Sequence, residues 1–158
     1  MNGMHENQGE VEMQALLQRV RQASVTIDGE VIGAIGHGLL ILVCAEHGDS
    51  DDIAKKLLQK IVKLRIFSDA DSKMNRSVSD VQGALLIVSQ FTLAADTAKG
   101  NRPSFTAVAN PDLAQALYEA FVGHASATGL EVASGRFGAD MQVSLVNDGP
   151  VTIPVSIR

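Results

Sequence analysis

Apolar positions along this chain follow two periods, and the switches between them mark out its elements. Ala15, Leu16, Leu17, Val20, Ala23, Val25 and Ile27 give residues 13–27 a β-rich pattern that predicts one long strand. Asp28-Gly29 predicts a tight hairpin turn, and residues 30–35 the return strand. Gly36-His37-Gly38 reads as a second turn and the apolar run 39–45 as a third strand, so the chain is expected to open as a β-meander. A polar loop then ends in an acidic cluster. Asp49 or Ser50 can cap a helix there, and Asp51 and Asp52 suit its positive end. Ile53, Leu57, Leu58, Ile61 and Leu64 recur at helical spacing, with Lys56, Lys60 and Lys63 on a solvated stripe. A short strand at 65–67, a turn at 69–72 and a central strand at 84–88 follow. Asn110 and Pro111 predict a second helix running to about Thr128, with Gly129 as its stop signal. Leu113, Leu117 and Phe121 form its apolar face. Short strands are expected at 131–133, 141–146 and 151–157, the last two separated by Asn147-Asp148-Gly149-Pro150. Pro154 implies an edge or an unpaired N–H position in the last strand. The order β-β-β-α-β-β-α-β-β-β is α+β with two main helices.

Composition narrows the function without naming it. The 158 residues suit one domain, 46% hydrophobic and 20% charged. No apolar run reaches the ~18 residues of a membrane span. Residues 1–12 show no apolar period and no basic stretch; they are expected to be a leader or remnant outside a single domain at 13–158. Their three glutamates carry much of the formal charge of −5, so the remainder is nearly neutral. Net charge therefore neither supports nor opposes a nucleic-acid partner. Cys44 is the single cysteine; no disulfide within the chain is possible, and a reducing cytoplasmic compartment fits. Its apolar neighbours make it a small core residue rather than a nucleophile.

The usual routes to chemistry fail one by one. The four histidines have no metal-ligand spacing, so no metal or other cofactor is expected. Asp69-Ala70-Asp71-Ser72 starts like a calcium loop, but Met74 stands where the glycine belongs. Ser89 is not in a nucleophile elbow, and the glycines near Gly36 are misordered for a dinucleotide loop. Three stretches remain. Ser89-Gln90-Phe91-Thr92 places hydroxyls and an amide at the end of the most apolar strand of the second half. Residues 94–105 form a long polar loop, and residues 147–152 interrupt a strand. Taken alone, each also reads as an ordinary turn.

Together they resemble the D-aminoacyl-tRNA deacylase family. The family's Ser-Gln-Phe-Thr motif stands at 89–92 and its Asn-x-Gly-Pro-Val-Thr motif at 147–152. Gln18-Arg19-Val20, the loop from Lys99 to Phe105 and Gly135-Arg136-Phe137-Gly138-Ala139-Asp140-Met141 add to the likeness, which extends from about Met13 to Ile157. The resemblance implies a deacylase-type fold with mixed sheets in a barrel-like core. It implies hydrolysis of the ester joining a D-amino acid to the terminal ribose of tRNA. It also implies a homodimer with active sites at the subunit interface and a cis Gly149–Pro150 peptide reaching into the partner's pocket. On this reading Ser89, Gln90, Phe91 and Thr92 form the catalytic wall, with backbone N–H groups near Gln90 and Phe91 as the oxyanion hole. Gly149, Pro150 and Asn147 form the opposite wall, which excludes L side chains. Thr92 has no activating base in its motif, so the substrate's own ribose 2′-OH is expected to assist. Phe137 and Met141 stand near the terminal adenosine or in the core, and Lys99 and Arg102 are candidate phosphate contacts. Two alternatives stay open: editing of glycyl-tRNA, which no wall against a side chain can reject, and a non-catalytic dimeric binding protein.

Overall fold

The computed structural model describes residues 13–157; the expected leader lies outside them. Within the described residues eight strands and two α-helices follow one another: β1 (Met13–Ile27), β2 (Glu30–Ile35), β3 (Gly38–Cys44), α1 (Asp51–Lys63), β4 (Phe67–Ser68), β5 (Met74–Arg76), β6 (Ala84–Ser89), α2 (Pro111–Ser126), β7 (Val132–Ser134) and β8 (Gln142–Ile157). A 3-10 turn, Phe91–Ala94, follows β6. Strand β5, which pairs with β4, and this turn were not anticipated.

The opening strands do not form a meander. β2 and β3 both pair with β1 rather than with each other. Gly38↔Val20 continues the register of Ile35↔Ala23, so β2 and β3 are one return strand bent at Gly36-His37. The bend brings Gly38 against β6: a Cβ there would lie 1.9 Å from the Ala84 carbonyl oxygen. Only glycine fits, and what reads as a turn signal serves a close approach. β3 then runs parallel to β6, and β6 parallel to β7.

β1 and β8 change layer halfway along. The first half of β1 turns Met13, Ala15 and Leu17 toward the helices, where they meet Leu57 and Ile61 of α1 and Phe121 of α2. Its second half turns Val20, Ala23 and Val25 into another core with Leu40, Leu86 and Val88. β3 and β6 lie between, buried on both faces, which explains their unbroken apolar runs. β2 curls over to β7, and Gly33 comes close to Ser134. The result is the nearly closed, barrel-like sheet that the resemblance implies.

Strands that switch layers do so at bulges. β1 and β8 have theirs at the same level. Between Gln18↔Thr152 and Val20↔Asn147, β8 takes five steps against two on β1. Three surplus residues arch out of the sheet there. The expected break at 147–150 is therefore a bulge inside one 16-residue strand. β8 pairs with β1 alone, so Pro154 does lie on an edge.

The helices start where the polar residues place them. Ser50 caps α1, its hydroxyl accepting from the Ile53 N–H, and Asn110 caps α2 by accepting from the Leu113 N–H at 3.0 Å. α2 ends at Ser126, slightly short of expectation.

Candidate active site

A cavity of about 540 Å³ opens at the carboxyl ends of the parallel strands β3 and β6. This is where parallel strands commonly receive ligands, because their connections diverge there. Ser89, Gln90 and Phe91 form one side, with Cys44 and Ala45 beside them. Phe137, Gly138, Ala139 and Met141 form the other, and Pro111, Ala114 and Tyr118 of α2 close a third. Five of the residues singled out from sequence thus meet here. Thr92 stands outside on the exposed face of the 3-10 turn, and Lys99 and Arg102 lie on an exposed loop away from the lining.

The 3-10 turn decides which amides are available. The Gln90 N–H donates to the Val43 carbonyl at 2.8 Å, extending the β3–β6 pairing, so it is no free donor as the sequence suggested. The Phe91 and Thr92 amides open the turn, and no acceptor within the described residues takes them. The first amides of a helical turn have no acceptor inside it, which leaves them for a ligand. The Gln90 side-chain amide holds the Thr92 hydroxyl.

Two groups around the cavity are held protonated, away from nucleophilic chemistry. Burial, reinforced by the Glu46 and Asp49 carboxylates, pushes the Cys44 thiol up to about 11. It stays a thiol at neutral pH, 3.6 Å from the Phe91 carbonyl oxygen. Burial pushes the Tyr118 phenol up to about 12. Its hydroxyl lies 2.8 Å from the Ile87 carbonyl oxygen and 3.1 Å from that of Gly135, linking β6 to the segment that carries Phe137. Nothing in the local sequence distinguishes this tyrosine from its core neighbours Leu117 and Phe121. The Asp69 turn is closed by its own backbone and Asn75, and no group of three or more metal-ligating side chains occurs among the described residues.

Gly149 and Pro150 are exposed, joined by a cis peptide, and absent from this lining. The register shows why. Ser89 is level with Val43, Ala15 and Val155, whereas the arch is level with Arg19. Four residues along the strands and three strands across separate the two motifs, on the order of 15–20 Å along the sheet.

The arch is built to hold its shape. Asn147 spans it: its Oδ1 accepts from the Val151 N–H at 2.7 Å, and its Nδ2 donates to the Val151 carbonyl and the Thr152 hydroxyl. Asn147 therefore shapes the arch, with its amide occupied inside the chain. Arg19 supports it from β1, donating from Nε to the Asp148 carbonyl and from Nη1 to the Ile66 carbonyl, both at 2.8 Å. A Cβ on Gly149 would come within 2.8 Å of the Val151 nitrogen. Arg19 carried no role in the sequence reading.

The family model for D-Tyr-tRNA(Tyr) deacylase matches residues 16–156. The D-aminoacyl-tRNA deacylase of Variovorax paradoxus (strain S110) is 61% identical over 145 residues, covering 92% of this chain and 99% of that one. That of Azoarcus sp. (strain BH72) is 63% identical over 145 residues, covering 92% and 96%. Among solved structures, a c-Myc DNA Unwinding Element Binding Protein superposes with a TM-score of 0.85 at 40% identity, covering 90% of this chain and 97% of that one. A probable eukaryotic D-amino acid tRNA deacylase superposes with a TM-score of 0.80 at 18% identity, covering 92% and 100%, a likeness of fold.

Proposed function

The chain belongs to the D-aminoacyl-tRNA deacylase family, whose members are hydrolases of an ester bond, and we propose that it hydrolyses D-aminoacyl-tRNA in a pocket completed by a second copy of itself. The observation that carries the shared pocket is the separation of the two motifs. The cavity and the Gly149–Pro150 arch lie far apart in one chain, and the arch stands exposed and stiffened on an edge strand. In a symmetric dimer each arch meets the other chain's cavity, giving two equivalent sites.

In this arrangement the terminal adenosine lies against Phe137 and Met141. The ester carbonyl faces the Phe91 and Thr92 amides, which stabilise the oxyanion. The partner's arch presents backbone carbonyls to the amino group and leaves no room for an L side chain, so chirality is judged by exclusion. Among the described residues no His, Lys or carboxylate hydrogen-bonds the Thr92 hydroxyl, which is held by Gln90. The substrate's ribose 2′-OH assists water attack instead. Lys99 and Arg102 contact phosphates of the tRNA. Residues 13–158 act as one unit, in the cytoplasm; no helix among the described residues is long and apolar enough to cross a membrane.

Subunit mixing tests the shared site. Gly149→Ala disables the arch through its contact with Val151, and Phe91→Pro removes an oxyanion amide. Each homodimer is expected to be inactive. Unfolded and refolded together in equal amounts, they recover about a quarter of wild-type deacylation, since half the dimers are mixed and each has one intact site. If the mixture stays as inactive as its parents while mixed dimers form, the site lies within one chain.

A further inference from the structure

Two exposed aromatic rings stand together at the rim of the cavity. Phe91 is 54% exposed and Phe105 36%, with ring centroids 5.1 Å apart and planes at 65°. Among the described residues they are the only exposed phenylalanine or tyrosine rings. Phe91 is among the residues lining the cavity, whereas Phe105 is not. Large apolar side chains left side by side in water mark a contact surface.

The chain around Phe105 says what kind of contact. Asp96 and Ser104 exchange backbone hydrogen bonds of 2.7 and 2.9 Å, and so tie residues 96–104 into a closed loop that ends beside Phe105. Its tip carries Lys99 and Arg102, both exposed and neither in an ion pair among the described residues. Asp96, the loop's only acid, accepts the Ala98 N–H. An aromatic ledge next to unpaired cations is the combination that holds single-stranded nucleic acid. Rings stack on bases, which all have a π-face, and cations follow the phosphates. A second copy of the chain would be matched by an apolar patch without free cations.

We infer that Phe105, leaning on Phe91, is a stacking ledge for an unpaired base that precedes the terminal nucleotide of the tRNA, with Lys99 and Arg102 on the neighbouring phosphates. This rests on D-aminoacyl-tRNA being the substrate. The ledge recognises the strand, and the cavity recognises the reacting end. Binding energy from a part of the substrate remote from the ester then holds the tRNA in place equally before and during reaction.

The test compares two substrates, D-tyrosyl-tRNA and its terminal fragment, adenosine esterified at the 3′ oxygen with D-tyrosine. Phe105→Ala is expected to raise KM for the tRNA about tenfold with little change in kcat, and to leave the fragment within about twofold of wild type. Phe105→Trp restores the tRNA value. Replacing both Lys99 and Arg102 by alanine flattens the salt dependence of KM for the tRNA and not for the fragment. Equal losses on both substrates would place Phe105 in the site for the reacting end and overturn the ledge. So would an unchanged KM for both, or dissociation of the Phe105→Ala dimer in sedimentation. A wild-type protein that hydrolyses neither substrate removes the deacylase reading itself, a result distinct from any of these.

Discussion

The two motifs hold their geometry by opposite means. The segment from Ser89 to Thr92 leaves a strand buried on both faces, and its position follows from the packing of β3, β6 and Tyr118. The arch from Asn147 to Thr152 leaves an edge strand and is exposed at its tip. Its shape comes from hydrogen bonds to Asn147 and Arg19 rather than from apolar packing. On the proposed mechanism the first segment supplies oxyanion donors, which must be rigid to a fraction of an ångström, and a core provides that. On the same proposal the arch enters a second molecule, so it must be solvent-facing before assembly and cannot draw on a core. Polar tethers across a bulge stiffen a projecting loop without burying it.

The largest effect follows from the buried wall. Phe91→Ala and Phe91→Pro both lose the ring, but only the proline loses the amide. The preceding Gln90 has φ −140° and ψ 82°, outside the helical region that a following proline disfavours. Phe91→Pro is expected to have kcat about 10²–10³ below that of Phe91→Ala, measured at saturating D-aminoacyl-tRNA. Equal rates for the two would remove the amide from the oxyanion hole.

For the arch, the expected effect is smaller and of another kind. Asn147→Ala removes three hydrogen bonds across the bulge yet leaves the Arg19 tether and the flanking pairing with β1. It is expected to lower kcat/KM about 10- to 100-fold. The melting temperature should move by only a few degrees, because little apolar surface depends on the arch. A drop of tens of degrees would show that Asn147 holds the fold and not only the arch.

The same contrast sets what the sequence made legible. Elements defined by burial were readable: the unbroken runs of β3 and β6, the alternating first half of β1 and the apolar stripe of α1 all reflect what they pack against. Connections were harder. Gly36-His37-Gly38 has the composition of a turn, but the chain only bends there, because Gly38 is needed for contact with Ala84. Asn147-Asp148-Gly149-Pro150 looks like the end of a strand, and the pairing resumes beyond it because the surplus residues arch out. Both motifs were recognisable as strings, whereas their separation in space depends on the register of four strands. The engagement of the Gln90 amide and the roles of Arg19 and Tyr118 are likewise contacts between distant segments, which no local pattern records.

The smallest effect is expected at Cys44, next to the wall and outside its chemistry. Its proton is bound more tightly in the folded chain, where burial pushes the thiol up to about 11 from an ordinary 9.0. Below pH 9 both folded and unfolded chains keep the proton, and stability does not depend on it. Above pH 9 the unfolded chain releases the proton first, so stability falls as pH rises, and the loss levels off near pH 11. Cys44→Ala is expected to leave kcat within about twofold at pH 7.5, since no thiolate takes part. It should also flatten the fall in stability between pH 9 and 11, followed by denaturant unfolding. What remains of that fall comes from other groups, Tyr118 among them, whose phenol is also held above its usual range. A large loss of kcat with the alanine would instead bring the thiol into the reaction, and the buried wall would then act through a side chain as well as its amides.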